Sequence, residues 1–73
     1  MSQQTLDCRN IHCPLPIVRM TQAVRSMASG EELEVLATDA AFEPDLEAWS
    51  RKTGHEIVHL EVGDIVRAVV RVK

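Results

Sequence analysis

At 73 residues and a net charge of −3, the chain has room for one domain and no more. A domain this short buries only about 60% of the surface its unfolded chain exposes, so regular elements packed on one small core must supply its stability. One Trp, one Phe and no Tyr make that core aliphatic; they leave no row of rings for single-stranded nucleic acid to stack on, and the acidic balance argues against RNA in the same direction.

The charges are unevenly spread. Arg9, Arg19 and Arg25 outweigh Asp7 in residues 1–30, every other acidic residue lies between 31 and 64, and Arg67, Arg71 and Lys73 make the last stretch basic. The opening Met1-Ser2-Gln3-Gln4-Thr5 is too polar for a signal peptide, and no apolar run approaches the ~18 residues of a membrane span. A cytoplasmic protein is expected, and there two cysteines are more often reactive or ligating than bridged.

Residues 5–8 form a short strand candidate, followed by the segment Arg9-Asn10-Ile11-His12-Cys13-Pro14-Leu15-Pro16. Asn10 is one of the few non-glycine residues that tolerates a left-handed backbone, which suits a sharp turn. Pro14 reads as the first position of a helix, where a missing N–H costs nothing, and Pro16 still lies in the first turn. Cys13 then stands at the helix cap, where unpaired N–H groups and the positive helix end lower a thiol pKa and favour thiolate.

Over residues 14–28, Ile17, Met20, Val24, Met27 and Ala28 recur at helical spacing, with Val18 and Ala23 widening the stripe. Leu15 falls off the stripe beside the cysteine, and Arg19 and Arg25 take polar positions. Gly30 reads as the left-handed residue that ends the helix. Residues 32–38 alternate as a strand with Leu33, Val35 and Ala37 on one side. A second helix is expected to start near Pro44, with Asp45 and Glu47 toward its positive end. Leu46, Trp49 and Thr53 form its buried stripe and Gly54 stops it. Residues 56–62 alternate Val58, Leu60 and Val62 against Ile57, His59 and Glu61. Gly63-Asp64 reads as a two-residue turn, and residues 65–72 alternate Val66, Ala68, Val70 and Val72 against Ile65, Arg67, Val69 and Arg71.

The order βαβαββ gives a two-layer α/β sandwich of the α+β kind, a single domain over residues 1–73. The first βαβ unit places its strands parallel, the final hairpin adds an antiparallel pair, and both helices cover one face of a mixed four-stranded sheet. The helix-free face keeps Arg67, Arg71 and some aliphatics, a surface suited to a partner protein.

Cys13 is the candidate nucleophile. Cys8 either resolves an intermediate on Cys13 through a disulfide or fills the core, the commoner fate of a strand-end cysteine. Their spacing is neither that of a thioredoxin motif nor that of a zinc knuckle. His12, when protonated, would stabilise a thiolate at Cys13, although adjacent side chains tend to diverge. His55 and His59 have no ligand spacing with each other or with His12, Cys8 and Cys13, so neither a metal nor a cofactor is expected.

These residues carry a resemblance. Leu6-Asp7, Cys13-Pro14-Leu15-Pro16-Ile17-Val18, the run from Met27 to Val35, Thr38-Asp39, Asp45-Leu46, Ala48-Trp49 and Thr53-Gly54-His55 resemble, in the same order, the TusA family of small sulfur carriers, the SirA/YedF-like group. Asn10-Ile11 stands where that family often has Gly-Leu, Asp39-Ala40 where Asp-Pro is usual, and Cys8 where a small residue is common. The resemblance implies a two-layer fold and a sulfurtransferase-type role for Cys13, which accepts sulfane sulfur as a persulfide and yields it to an acceptor protein. It also implies sulfur donors and acceptors of the cysteine desulfurase, rhodanese or DsrE-like type as partners; a monomer with transient complexes is expected, and Arg9, His12, Arg19, Arg67 and Arg71 are candidate partner contacts. Carriers of this kind serve tRNA thiolation, molybdenum cofactor supply, selenium metabolism and sulfur oxidation. Two other readings stay open: a non-catalytic docking module and a Cys8–Cys13 redox switch.

Overall fold

A computed structural model describes residues 3–73. The elements run β1 (Gln3–Cys8), α1 (Leu15–Arg25), β2 (Glu32–Ala37), α2 (Phe42–Thr53), β3 (Glu56–Glu61) and β4 (Val66–Arg71). The sheet order is β1-β2-β4-β3, with β1 and β2 parallel and the other two pairs antiparallel. This is the expected α+β sandwich with a mixed four-stranded sheet.

One core lies between the sheet and its two helices. Cys8, Leu33, Val35, Ala37, Val66, Ala68 and Val70 point into it from the strands, and Met20, Phe42, Leu46 and Trp49 meet them from the helices. Period-two alternation places these strand residues on one face. The register agrees, for Leu33 pairs with Val70 and Val35 with Ala68.

The local corrections have physical causes. Helix α1 begins at Leu15, so Pro14 holds the cap position and Pro16 is buried at the second helical residue. The helix ends at Arg25, five residues before Gly30, because the Ser26 N–H turns back to the Ala23 carbonyl and the Met27 N–H to the Val24 carbonyl. Gly30 does have a left-handed φ of 90°. It serves the sheet, however, donating its N–H to the Val72 carbonyl while the Val72 N–H donates to Glu31. Val18 and Ala28 are exposed rather than on the buried stripe.

Helix α2 starts two residues before Pro44. Asp39 initiates it, accepting the Ala41 N–H on Oδ1 and the Phe42 N–H on its carbonyl. That brings Phe42 into the core, whereas Thr53 is exposed. Gly54 ends the helix as expected, left-handed at φ 84°, with its N–H on the Ser50 carbonyl.

In β3 the strict alternation breaks. A register shift between Ile57 and His59 lets Ile57 pair with Val70 and Leu60 with Ala68, so both lean on the core although they stand an odd three positions apart. The link to β4 is correspondingly longer than a two-residue turn, running over residues 62–65 with Val62 and Ile65 exposed.

Candidate functional site

Parallel pairing decides where the chemistry can gather. Cys8 and Ala37 are register partners at the ends of β1 and β2, so the two loops that follow leave the sheet side by side. The carboxyl ends of parallel strands are where such sheets place their functional loops. The first loop turns at Asn10, left-handed at φ 65° as its residue type suggests, and the Thr38 hydroxyl accepts the Asn10 N–H at 2.9 Å.

Cys13 sits at the meeting point, exposed, and a cis bond joins it to Pro14. Its backbone N–H donates to Asp39 Oδ2 at 2.6 Å, and its Sγ donates to Asp45 Oδ2 at 2.8 Å. One carboxylate therefore holds the main chain of the cysteine and another holds its sulfur. The two N–H bonds from Cys13 and Ala41 keep the Asp39 carboxyl below its ordinary range.

The thiol moves the opposite way from the sequence expectation. The S–H bond to Asp45 raises the Cys13 pKa above its ordinary value, and desolvation and the charges of Asp45 and Asp39 push in the same direction. The helix start does not compensate. Pro14 and Pro16 have no N–H to offer, and the Leu15 N–H is taken by the His12 carbonyl at 2.9 Å. Little remains there of the amide cradle that would stabilise an anion.

Beside Cys13 runs an open groove of about 520 Å³, walled by Pro14 at the cap of α1 and Ile17 within it and by Asp45, Ala48, Trp49 and Lys52 from α2, with Arg51 also lining it. The four α2 residues follow helical spacing and so form one face. Trp49 fixes the wall: its indole N–H donates to the Thr21 hydroxyl at 3.1 Å, and that hydroxyl donates to the Ile17 carbonyl at 2.9 Å. Among the described residues neither Arg51 nor Lys52 is held by a carboxylate.

The other residues singled out in the sequence are dispersed. Cys8 is free and fully buried under the sheet, and burial pushes its thiol pKa up. His12 is exposed next to Cys13. Arg9 is held by Asp7 through two bonds of 2.9 Å, and Arg19 is exposed on α1. Arg67 and Arg71 lie on the helix-free face, where Arg67 pairs with Glu34 and Arg71 with Glu32 and Glu56. His55 accepts the Lys73 N–H and leans on Trp49 with ring centroids 5.1 Å apart, while His59 pairs with Glu61. Among the described residues no three His, Cys, Asp or Glu side chains gather as metal ligands, and no helix is long and apolar enough to cross a membrane.

Asp39 and Asp45 are the residues at the candidate site that the sequence alone does not single out as contacts of Cys13. Asp45 looked like an ordinary first-turn acid and Asp39 like loop, and the lost signal was the parallel register that sets both loops at one edge.

The family model described as Sulfurtransferase TusA matches residues 4–72. The sulfur carrier protein TusA of Allochromatium vinosum is 40% identical over 55 residues, 75% of this chain and 72% of that protein. YrkI of Bacillus subtilis is 42% identical over 67 residues, 90% of this chain and 89% of its own length. YrkF of the same organism is also 42% identical over 67 residues, but this chain spans only 36% of its length. With a match across nearly every residue and the Cys13 loop inside it, the chain belongs to the TusA sulfurtransferase family.

Proposed function

We propose that the protein is a sulfur carrier of a cytoplasmic relay, holding sulfane sulfur as a persulfide on Cys13 between a donor and an acceptor protein. What carries this reading is an exposed thiol on the Cys-Pro-x-Pro segment, at the side of an open groove, in a chain matched to that family from residue 4 to residue 72.

The chemistry balances without an external oxidant. Cys13 sulfur attacks the outer sulfur of a donor persulfide R–S–SH, the donor S–S bond breaks, and R–S⁻ leaves with the electron pair and takes up the proton Cys13 gives up. The products are Cys13–S–SH and R–SH. Delivery repeats the exchange, the acceptor thiol attacking the outer sulfur and Cys13 leaving as thiol. The groove gives a cysteine-bearing segment of either partner a way to the sulfur, with Ile17, Ala48 and Trp49 offering apolar contact. Cys8, wholly buried, has no path to a sulfur donor without opening the core.

The test is intact-protein mass spectrometry after incubation with polysulfide under non-reducing conditions. A gain of one sulfur atom, reversed by reductant, is expected in the native protein and in Cys8→Ala, and absent in Cys13→Ser. Loading retained by Cys13→Ser would refute the proposal. A loss of two hydrogens without added sulfur would replace it with the Cys8–Cys13 switch.

A further inference from the structure

We propose that Asp45 is a positioning residue that keeps Cys13 a latent, protonated thiol in the free protein, released to react when its carboxylate is displaced or neutralised by the cysteine-bearing segment of a sulfur donor or acceptor docked in the groove. This rests on the carrier reading and specifies how the same site is controlled.

The argument is geometric. Asp45 is the fourth residue of α2, in the first turn with Glu43, where any acid suits the helix dipole, and Glu47 follows half a turn later. Only Asp45 among these three lines the groove, and its Oδ2 stands 2.8 Å from Cys13 Sγ. At that separation a carboxylate accepts the S–H of a thiol, whereas a thiolate would set two negative charges against each other. Asp39, in the loop before α2, faces the cysteine from its main-chain side and adds a second negative charge. The positive groups around are weakly placed. His12 is the chain neighbour on the same loop, and Lys52 is seven residues beyond Asp45, about 10 Å further along the helix. Arg51, six residues beyond Asp45, is about 9 Å further along the helix. The groups facing Cys13 thus favour the proton.

The site then behaves differently before and after docking. In the free protein few Cys13 sulfurs are thiolate at neutral pH, which limits reaction with stray electrophiles. A partner segment that enters the groove and satisfies Asp45 with its own donor or cation removes both the hydrogen bond and the repelling charge.

The experiment is the rate of iodoacetamide alkylation of the folded protein as a function of pH, followed by intact mass, for the native protein, Asp45→Asn and Glu47→Gln. Cys8 has no exposed surface and does not contribute. The native midpoint is expected above the roughly 8.5 of an unperturbed thiol. In Asp45→Asn the midpoint falls and alkylation at pH 7 rises about tenfold, the size of effect one adjacent like charge exerts. Glu47→Gln, with the same charge change on the same helix outside the groove, stays with the native protein. A native midpoint at or below the ordinary value overturns the proposal even if Asp45→Asn fails to fold, and equal shifts in both variants overturn it too. Polysulfide loading of the same proteins separates the two proposals. Failure of every variant to load removes the carrier reading, while the alkylation profiles still decide what Asp45 does.

Discussion

The two faces of this small sheet treat charge in opposite ways. On the helix-free face each arginine of β4 is answered across the strands: Arg67 by Glu34, which also accepts the Thr5 hydroxyl, and Arg71 by Glu32 and Glu56. Val69, between the two arginines in sequence and opposite Glu34 and His59, is only 5% exposed, covered by these long side chains. On the helix side, at the edge where β1 and β2 end, the charges are not matched with one another. Asp39 and Asp45 both hold Cys13, and among the described residues Arg51 and Lys52 line the groove without a carboxylate. Cross-strand pairing makes a closed, self-satisfied surface, whereas two carboxylates gathered on one cysteine hold its thiol in the protonated form. The arginines of β4, which the sequence offered as partner contacts, would have to break existing pairs to serve that way.

The strongest test of this contrast removes the wall that the groove shares with the core. Trp49 is 6% exposed and bonds Thr21 across the helix pair. Trp49→Ala is expected to cost about 3–5 kcal/mol, a large part of the roughly 5–15 kcal/mol a domain has. Trp49→Phe keeps most of the ring and loses the N–H bond, for about 1 kcal/mol. Urea unfolding midpoints would separate the two, and equal losses would mean that the hydrogen bond rather than the packing holds the wall.

What the sequence made legible follows the same division. The element order, the core faces of β2 and β4, the left-handed Asn10 and the Gly54 stop depend on local pattern or residue type, and they hold. The bulge in β3 does not, because Glu56-Ile57-Val58-His59-Leu60 alternates well enough to pass as regular and only pairing with β4 moves Ile57 and Leu60 to one face. The start of α2 was hidden because Pro44 is permitted anywhere in a first turn, while the nucleating group is the Asp39 side chain. The electrostatics of Cys13 were the least legible. A Cys-Pro-x-Pro helix start suggests a depressed pKa, but both prolines remove N–H donors, and the carboxylates that decide the matter come from 26 and 32 residues away.

A smaller effect is expected on the closed face. Arg67→Ala leaves Glu34 with its Thr5 bond, and Glu34, held below its ordinary pKa first by Arg67, is partly exposed. A double-mutant cycle with Glu34→Gln should give a coupling of under about 1 kcal/mol that shrinks with added salt, as exposed pairs do. The pH profile of Cys13 alkylation should not move. A shifted profile in Arg67→Ala would show that the two faces are coupled through the sheet.

The smallest effect separates the loop pair from the site it precedes. Arg9 reaches back to Asp7 through its side chain and its own N–H, and this holds the Asp7 carboxyl at about 2 instead of 3.8. A lowered folded-state value stabilises the protein above pH 3.8, and that contribution fades as the pH falls toward 2. Carboxyl titration by NMR should place Asp7 near 2 in the native protein and close to 3.8 in Arg9→Ala. Because both groups are exposed, little change in stability at neutral pH should accompany it. Sulfur loading by Arg9→Ala at the native rate would assign Arg9 to the turn alone. Slower loading with an unchanged Cys13 alkylation profile would instead make Arg9, four residues before the thiol, a contact for the incoming donor.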